Sequence, residues 1–148
     1  MSGGGVVAKS RLIGAKAHVA RLRKLSGEQM VRRVGRALFA AGEMIQVEAQ
    51  IGISAGSVSG KNHVPAPPGS YPNQDTGVLA NSIETNQVAP LVVEVSSNAP
   101  YAAALEFGTS KMAARPHMST ARDAKRAEVT QLVRGAVDAA VKASRSRD

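Results

Sequence analysis

Apolar residues recur in two ways along the first third of the chain. From Leu12 to Leu25 they are scattered among basic residues, whereas Val31, Val34, Leu38, Ala41 and Ile45 follow one another at steps of three and four. The second spacing places one apolar stripe along an α-helix and turns Arg32, Arg33, Arg36 and Glu43 elsewhere. Ser26, with Gln29 three residues on, has the arrangement of an N-cap and its capping-box partner, so a long helix is predicted from there to about Ala49 or Gln50.

The period then disappears. Between residues 52 and 77 the chain is rich in Gly, Ser, Pro and Asn, which predicts a long loop. Structureless loops beyond about 12–15 residues are uncommon in compact domains unless they are functional or disordered, which makes this one a candidate to reach a neighbour. Asp75 or Thr76 is expected to cap a short helix through Val78, Leu79 and Ala80, and SIETNQVAPLVVEVSS reads as two strands joined at Ala89-Pro90. A hairpin alone is marginal in water, so it must pack on the long helix. Pro100 then opens a helix from Tyr101 to Phe107, which Gly108 closes through the left-handed conformation that glycine permits. Ser119 or Thr120 caps a last helix, whose broad apolar stripe comprises Ala124, Ala127, Val129, Leu132, Val133, Ala136, Val137 and Val141. The expected architecture is α+β: a long helix and a C-terminal helix packed on a small antiparallel sheet, with a long Gly/Ser/Pro loop. One domain spans 9–142, between a flexible 1–8 and a frayed 143–148.

Composition adds two constraints. Of 148 residues 43% are apolar but only 3% aromatic, so the core must be built from Ala, Val, Leu and Ile. A core of small side chains buries little area, at roughly 25 cal/mol per Å², and a chain of this kind gains stability by associating. The net charge is +8, and residues 1–36 hold nine Lys or Arg against the single acid Glu28. Such a segment can meet nucleic acid, an acidic neighbouring subunit or water. No aromatics alternate with these basic residues to stack bases, which weakens the nucleic-acid reading. No run of about 18 apolar residues is present, and MSGGGVVAKS lacks a signal-peptide apolar stretch, so a soluble protein used without secretion is expected.

Candidate chemistry is sparse. The absence of cysteine excludes disulfides, thiolate metal sites and cysteine nucleophiles. His18, His63 and His117 fall in different predicted elements without metal-ligand spacing, and they read as surface or loop residues. No nucleophile elbow, P-loop or dinucleotide fingerprint is present; Gly52-Ile-Ser-Ala-Gly56 follows a helix rather than a strand. Glu106 stands alone within a tight motif and lacks the second group that acid–base catalysis requires. Neither catalysis, cofactor nor metal is expected. The ordered signal is geometric: in LEFGTSKMAARPHM a compact turn joins two helices, Arg115 is positioned to pair with Glu106 across it, and Pro116 stiffens the approach to Met118.

Two motifs together, DTGVLANSI at Asp75–Ile83 and YAAALEFGT followed by RPHMSTA at Tyr101–Ala121, resemble the tail-component family of long-tailed bacteriophages. Its members are described as tail-completion or head–tail joining neck proteins. The resemblance extends over about residues 10–142. It implies an α+β fold and assembly into a ring at the portal end of the tail, contacting head-connector and tail-tube or terminator proteins. It also assigns Asp75, Thr76 and Gly77 to a turn, Leu79 and Ile83 to its buried face, and Tyr101, Glu106, Phe107, Gly108, Thr109 and Pro116 to a second element. The family's proline just before Asp-Thr-Gly is displaced here to Pro72, with Asn73 and Gln74 between. A ring interface is expected to use the hairpin edge and the long loop, with Lys61, His63, Pro65, Pro67, Pro68 and Tyr71 as candidates. Arg21, Arg23 and Lys24 of the basic N-terminal region complete that set, and the same region is a candidate to face packaged DNA. A tail terminator and a basic nucleic-acid-binding module are the competing expectations.

Overall fold

A computed structural model describes residues 15–25, 27–55, 65–73 and 77–145. Five helices and one hairpin follow in the order α1 (Ala15–Leu25), α2 (Glu28–Ser54), α3 (Val78–Asn81), β1 (Ile83–Ala89), β2 (Val92–Ser97), α4 (Ala102–Phe107) and α5 (Met118–Arg145). The fold is α+β, with α2 at its centre: the hairpin lies on one side of α2, and α5 packs along it.

The predicted stripe faces inward, with Val34 and Ala41 buried and Val31, Leu38 and Ile45 half-buried. Both ends of α2 differ from expectation. Ser26 lies outside the described residues, and the capping position is Gly27, which makes no side-chain capping hydrogen bond. At the other end the helix continues through Gly52 to Ser54, into what composition marked as loop. Tertiary burial overrides the weak helix propensity of that segment. Ile53 has no exposed surface, and a Cβ on Gly52 would stand 2.6 Å from the Tyr71 ring, so the ring sits directly on the helix backbone.

The strands pair antiparallel, Ile83 opposite Ser97 and Thr85 opposite Val95, with an irregularity between Gln87 and Ala89. Two glycines seven residues apart on α2 let the hairpin approach closely. A Cβ on Gly42 would lie 2.7 Å from Thr85 Cγ2 and 2.9 Å from Val93 Cγ1, and one on Gly35 would lie 2.8 Å from the Pro90 carbonyl oxygen. Thr85 Oγ1 donates to Gln46 Oε1 at 2.8 Å, and Gln50 Nε2 donates to the Ala80 carbonyl at 3.0 Å.

Ala49, Ile53, Leu79, Ala80, Ile83, Ala99, Ala102 and Ala121 form the core, with Ile45, Tyr71, Val95, Leu105 and Met118 packed against them. The core is small-residue-rich, as the composition requires. α5 contributes little to it: only Ala121, Ala140 and Ser144 are buried. Of its predicted stripe, Val129, Val133, Ala136, Val137 and Val141 are half-buried, while Ala124, Ala127 and Leu132 are exposed. α5 starts at Met118, not at Ser119 or Thr120, and runs to Arg145, past the expected fray point at 143; Lys142 and Arg145 in its last turn suit the negative end of the helix dipole.

Candidate functional site

The second motif forms a knot of backbone and carboxylate. α4 stops at Gly108, whose φ of 74° and ψ of 175° belong to a region essentially reserved for glycine rather than to the left-handed helical closure predicted for it. The space is closed as well: a Cβ there would stand 2.9 Å from Ala114 N and 3.0 Å from Met112 O. Thr109 N–H then donates to the Met112 carbonyl at 2.8 Å, Lys111 N–H to Thr109 Oγ1 at 3.2 Å, and Arg115 N–H back to the Leu105 carbonyl at 2.7 Å. These bonds fold residues 108–115 into a compact turn beside α4.

Glu106 reaches from α4 across this turn to the first turn of α5. Its Oε2 accepts from the N–H groups of His117 and Met118, each at 2.9 Å, and its Oε1 from the N–H of Ser119 at 2.9 Å. The first turn of α5 contains no acidic residue of its own, so the carboxylate that satisfies its free N–H groups and the positive end of its dipole comes from a different helix. Burial pushes the Glu106 pKa up, but hydrogen bonds from the Ser119 side chain and from the three N–H groups outweigh it and hold the carboxyl at about 2, below its ordinary 4.5. Glu106 is a charged cap, fully ionised at neutral pH.

This arrangement corrects two expectations. Arg115 does not pair with Glu106; its Nε donates to the Ala66 carbonyl at 2.7 Å, and with Gly69 N–H donating to the Ala114 carbonyl at 2.9 Å it ties part of the 52–77 segment to the turn. His117 is not a surface residue either, because its side chain has no exposed surface. Neither ring nitrogen makes a hydrogen bond, although Glu106 Oε2, 3.3 Å from Nδ1, and the backbone at Arg115 lie near enough to favour the protonated ring. Burial dominates and lowers its pKa below 6.5, so the imidazole is neutral at pH 7. Pro116 is half-buried, and its carbonyl accepts from Thr120 Oγ1 at 3.0 Å.

The first motif is only partly described. Asp75 and Thr76 lie outside the described residues, and the residue capping α3 is Gly77, with φ 79° and no side-chain capping bond. Leu79 and Ile83 are buried at 3% and 2% exposure. Ser82, between α3 and β1, shares a 2.8 Å hydrogen bond with Ser97. The scarce aromatics divide: Tyr71 packs on the core, whereas Tyr101 is 45% and Phe107 81% exposed. Phe107 stands at a groove of about 540 Å³ between β2, α4 and the start of α5, which Val95, Ala103, Met118 and Arg122 also line.

Among the proposed interface residues, Lys61, His63 and the Lys24 side chain lie outside the described residues. Pro65, Pro67 and Pro68 are exposed; Arg21 is half-buried and Arg23 exposed on α1. Among the described residues no cluster of His, Asp and Glu has the composition of a metal site, and no helix is long and apolar enough to cross a membrane. The site offers shape and a fixed charge. Its one ionised carboxylate is spent on a helix terminus, and its one histidine is sealed from solvent.

Sequence reasoning missed the cap role of Glu106. The signal was present in RPHMSTARD, a helix start with no acid until Asp123, which needed an anion from elsewhere.

The bacteriophage family described as "Bacteriophage HK97-gp10, putative tail-component" matches residues 16–108. The matched span takes in α1 through α4 and ends on Gly108, leaving the Arg-Pro-His element and α5 beyond it. No curated protein and no solved structure matches the chain. With well over half its length matched, from the first basic helix to the glycine that ends the second motif, the chain belongs to the HK97-gp10-like family of bacteriophage tail components.

Proposed function

We propose that this tail component works by assembly: copies of the chain close into a ring at the neck or tail end, completing the tail and joining it to the head connector. The observation that carries the reading is the hairpin. Its sheet has two strands only, so each strand keeps one side without a β partner among the described residues. Val88, Leu91 and Val92 at the hairpin tip are 45–54% exposed. Open strand edges beside exposed apolar side chains are templates for a neighbouring chain. Phe107 and the thinly buried α5 extend the same pattern, since much of the monomer's apolar surface still faces water. The role is structural rather than catalytic, and the partners are further copies of this chain together with the connector and tail-tube or terminator proteins that flank it.

Light scattering of the purified full chain, followed by electron microscopy, tests this reading. A single assembled mass with ring-shaped particles is expected, together with association with connector or tail-tube protein. A monomer that binds duplex DNA with a steep salt dependence, and associates with neither, would overturn it.

A further inference from the structure

One side of α2 stays exposed along its second half. Gly35 and Gly42 meet the hairpin, Leu38 and Ala41 border α5, and Gly52 lies under the Tyr71 ring. At about 100° per residue, Ala40, Met44, Val47 and Ile51 fall on the side that these leave over, at steps of four, three and four, which is the spacing of a helix–helix seam. Ala40 and Met44 are half-buried, but Val47 is 50% and Ile51 60% exposed, two large apolar side chains one turn apart. Glu43 and Glu48 flank the row, and no Lys or Arg occurs between Arg36 and Lys61. Glu48 stands 3.8 Å from Lys125 of α5, and Glu43 is exposed.

α1 is the complementary helix. It carries Lys16, Arg21, Arg23 and Lys24 and no acid, and Val19 and Leu22, 46% and 51% exposed, are spaced as Met44 and Val47 are. The stripe of its own α2 is out of reach. Val47 lies about 29 Å along α2 from Glu28, whereas Val19 is about 9 Å along α1 from Leu25, and the link from Leu25 to Glu28 adds at most about 11 Å. An α1 seated on the stripe therefore belongs to another copy.

We propose that α1 of one copy packs antiparallel on the exposed stripe of α2 in a second copy of this chain. The proposal rests on the ring reading above and supplies what a ring requires: a contact between two different patches, repeated from copy to copy until it closes. Antiparallel, Leu22 lies over Met44, Val19 over Val47 and the first turn of α1 over Ile51, with Lys16 beside Glu48; parallel, α1 would end before Ile51. A second α2 is the poorer occupant, because two stripes flanked by acids bring like charges together. Burial of the apolar side chains supplies the attraction, and the exposed charges, worth little singly, set partner and direction.

The chain has no cysteine, so introduced cysteines report the contact directly. In the full chain, Val19→Cys/Val47→Cys should give a ladder of covalent oligomers on oxidation, because the two positions meet only between copies, while each single variant should give none. Val47→Glu/Ile51→Glu changes exposed positions only and should keep native helix content by circular dichroism. It should weaken self-association at least about tenfold, because charge is then buried against Val19 and the first turn of α1. A cysteine double variant that assembles without a ladder, or undiminished assembly of Val47→Glu/Ile51→Glu, overturns the pairing while leaving the ring itself standing. A covalent dimer of Val47→Cys alone also overturns it, and assigns the stripe to a second α2. A wild-type chain that stays monomeric at low salt and high concentration overturns both the pairing and the ring.

Discussion

Glu106 shows how one side chain can decide the placement of a whole helix. A carboxylate that accepts three backbone N–H bonds across a turn is a cap supplied in trans along the chain, and its removal leaves those donors facing the end of a dipole. Glu106→Ala should cost about 2 kcal/mol in denaturant unfolding. Glu106→Gln, which keeps one acceptor but no charge, should cost less. The pH dependence follows from the depressed pKa values of two groups that folding buries wholly or in part. His117 is held below 6.5 and Glu106 at about 2 rather than 4.5, so both contribute stability that is complete above their ordinary values and is lost as pH falls. Thermal unfolding should decline first below about pH 6.5, as His117 is forced to charge in a buried site. It should decline again between about 4.5 and 2, and Glu106→Gln should shrink this second decline; a second decline of wild-type size in that variant would show that other carboxylates cause it. Gly108→Ala places a Cβ against Ala114 in a glycine-only conformation and should destabilise by about 1–3 kcal/mol.

At the scale of elements, packing rather than propensity explains where sequence reading fell short. The stripe of α2, the hairpin and α4 were legible because periodicity and turn residues record burial directly: Val34 and Ala41 are buried, and the strands meet around Pro90 as the pattern indicated. The last turn of α2 was not legible, since Gly52, Ile53 and Ser54 resemble a loop until Tyr71 and the core are brought against them. Nor was the start of α5, because its cap stands twelve residues before Met118 in a different helix. The partner of Arg115 was not legible either, because it lies 49 residues away, at Ala66, where no local pattern points. The two kinds of helical glycine separate by experiment. Gly42→Leu should push the hairpin from α2 and cost about 1–3 kcal/mol by overpacking. Gly135 has nothing within 4 Å of a built Cβ, so Gly135→Ala should stabilise α5 by about 1 kcal/mol. Equal effects of the two substitutions in chemical denaturation would contradict this division.

For the molecule as a whole, the core is made largely of alanine, and the long C-terminal helix buries only three residues. Such a chain folds with much of its apolar surface still in water, and Phe107, 81% exposed in a sequence with so few aromatics, is the largest single instance. Phe107→Ala should leave the melting temperature of the monomer unchanged and weaken assembly; a variant that unfolds would return Phe107 to the core. Glu106, Gly108 and Thr109 fix backbone shape where bulky side chains are absent. What decides between ring assembly and its alternatives is where the protein sits in the virion and in what form. Electron microscopy of intact phage particles, resolved well enough to place this chain, should find it as a closed ring of repeated copies at the head-proximal end of the tail. Density for the chain as isolated copies, or at the distal end of the tail, would contradict it.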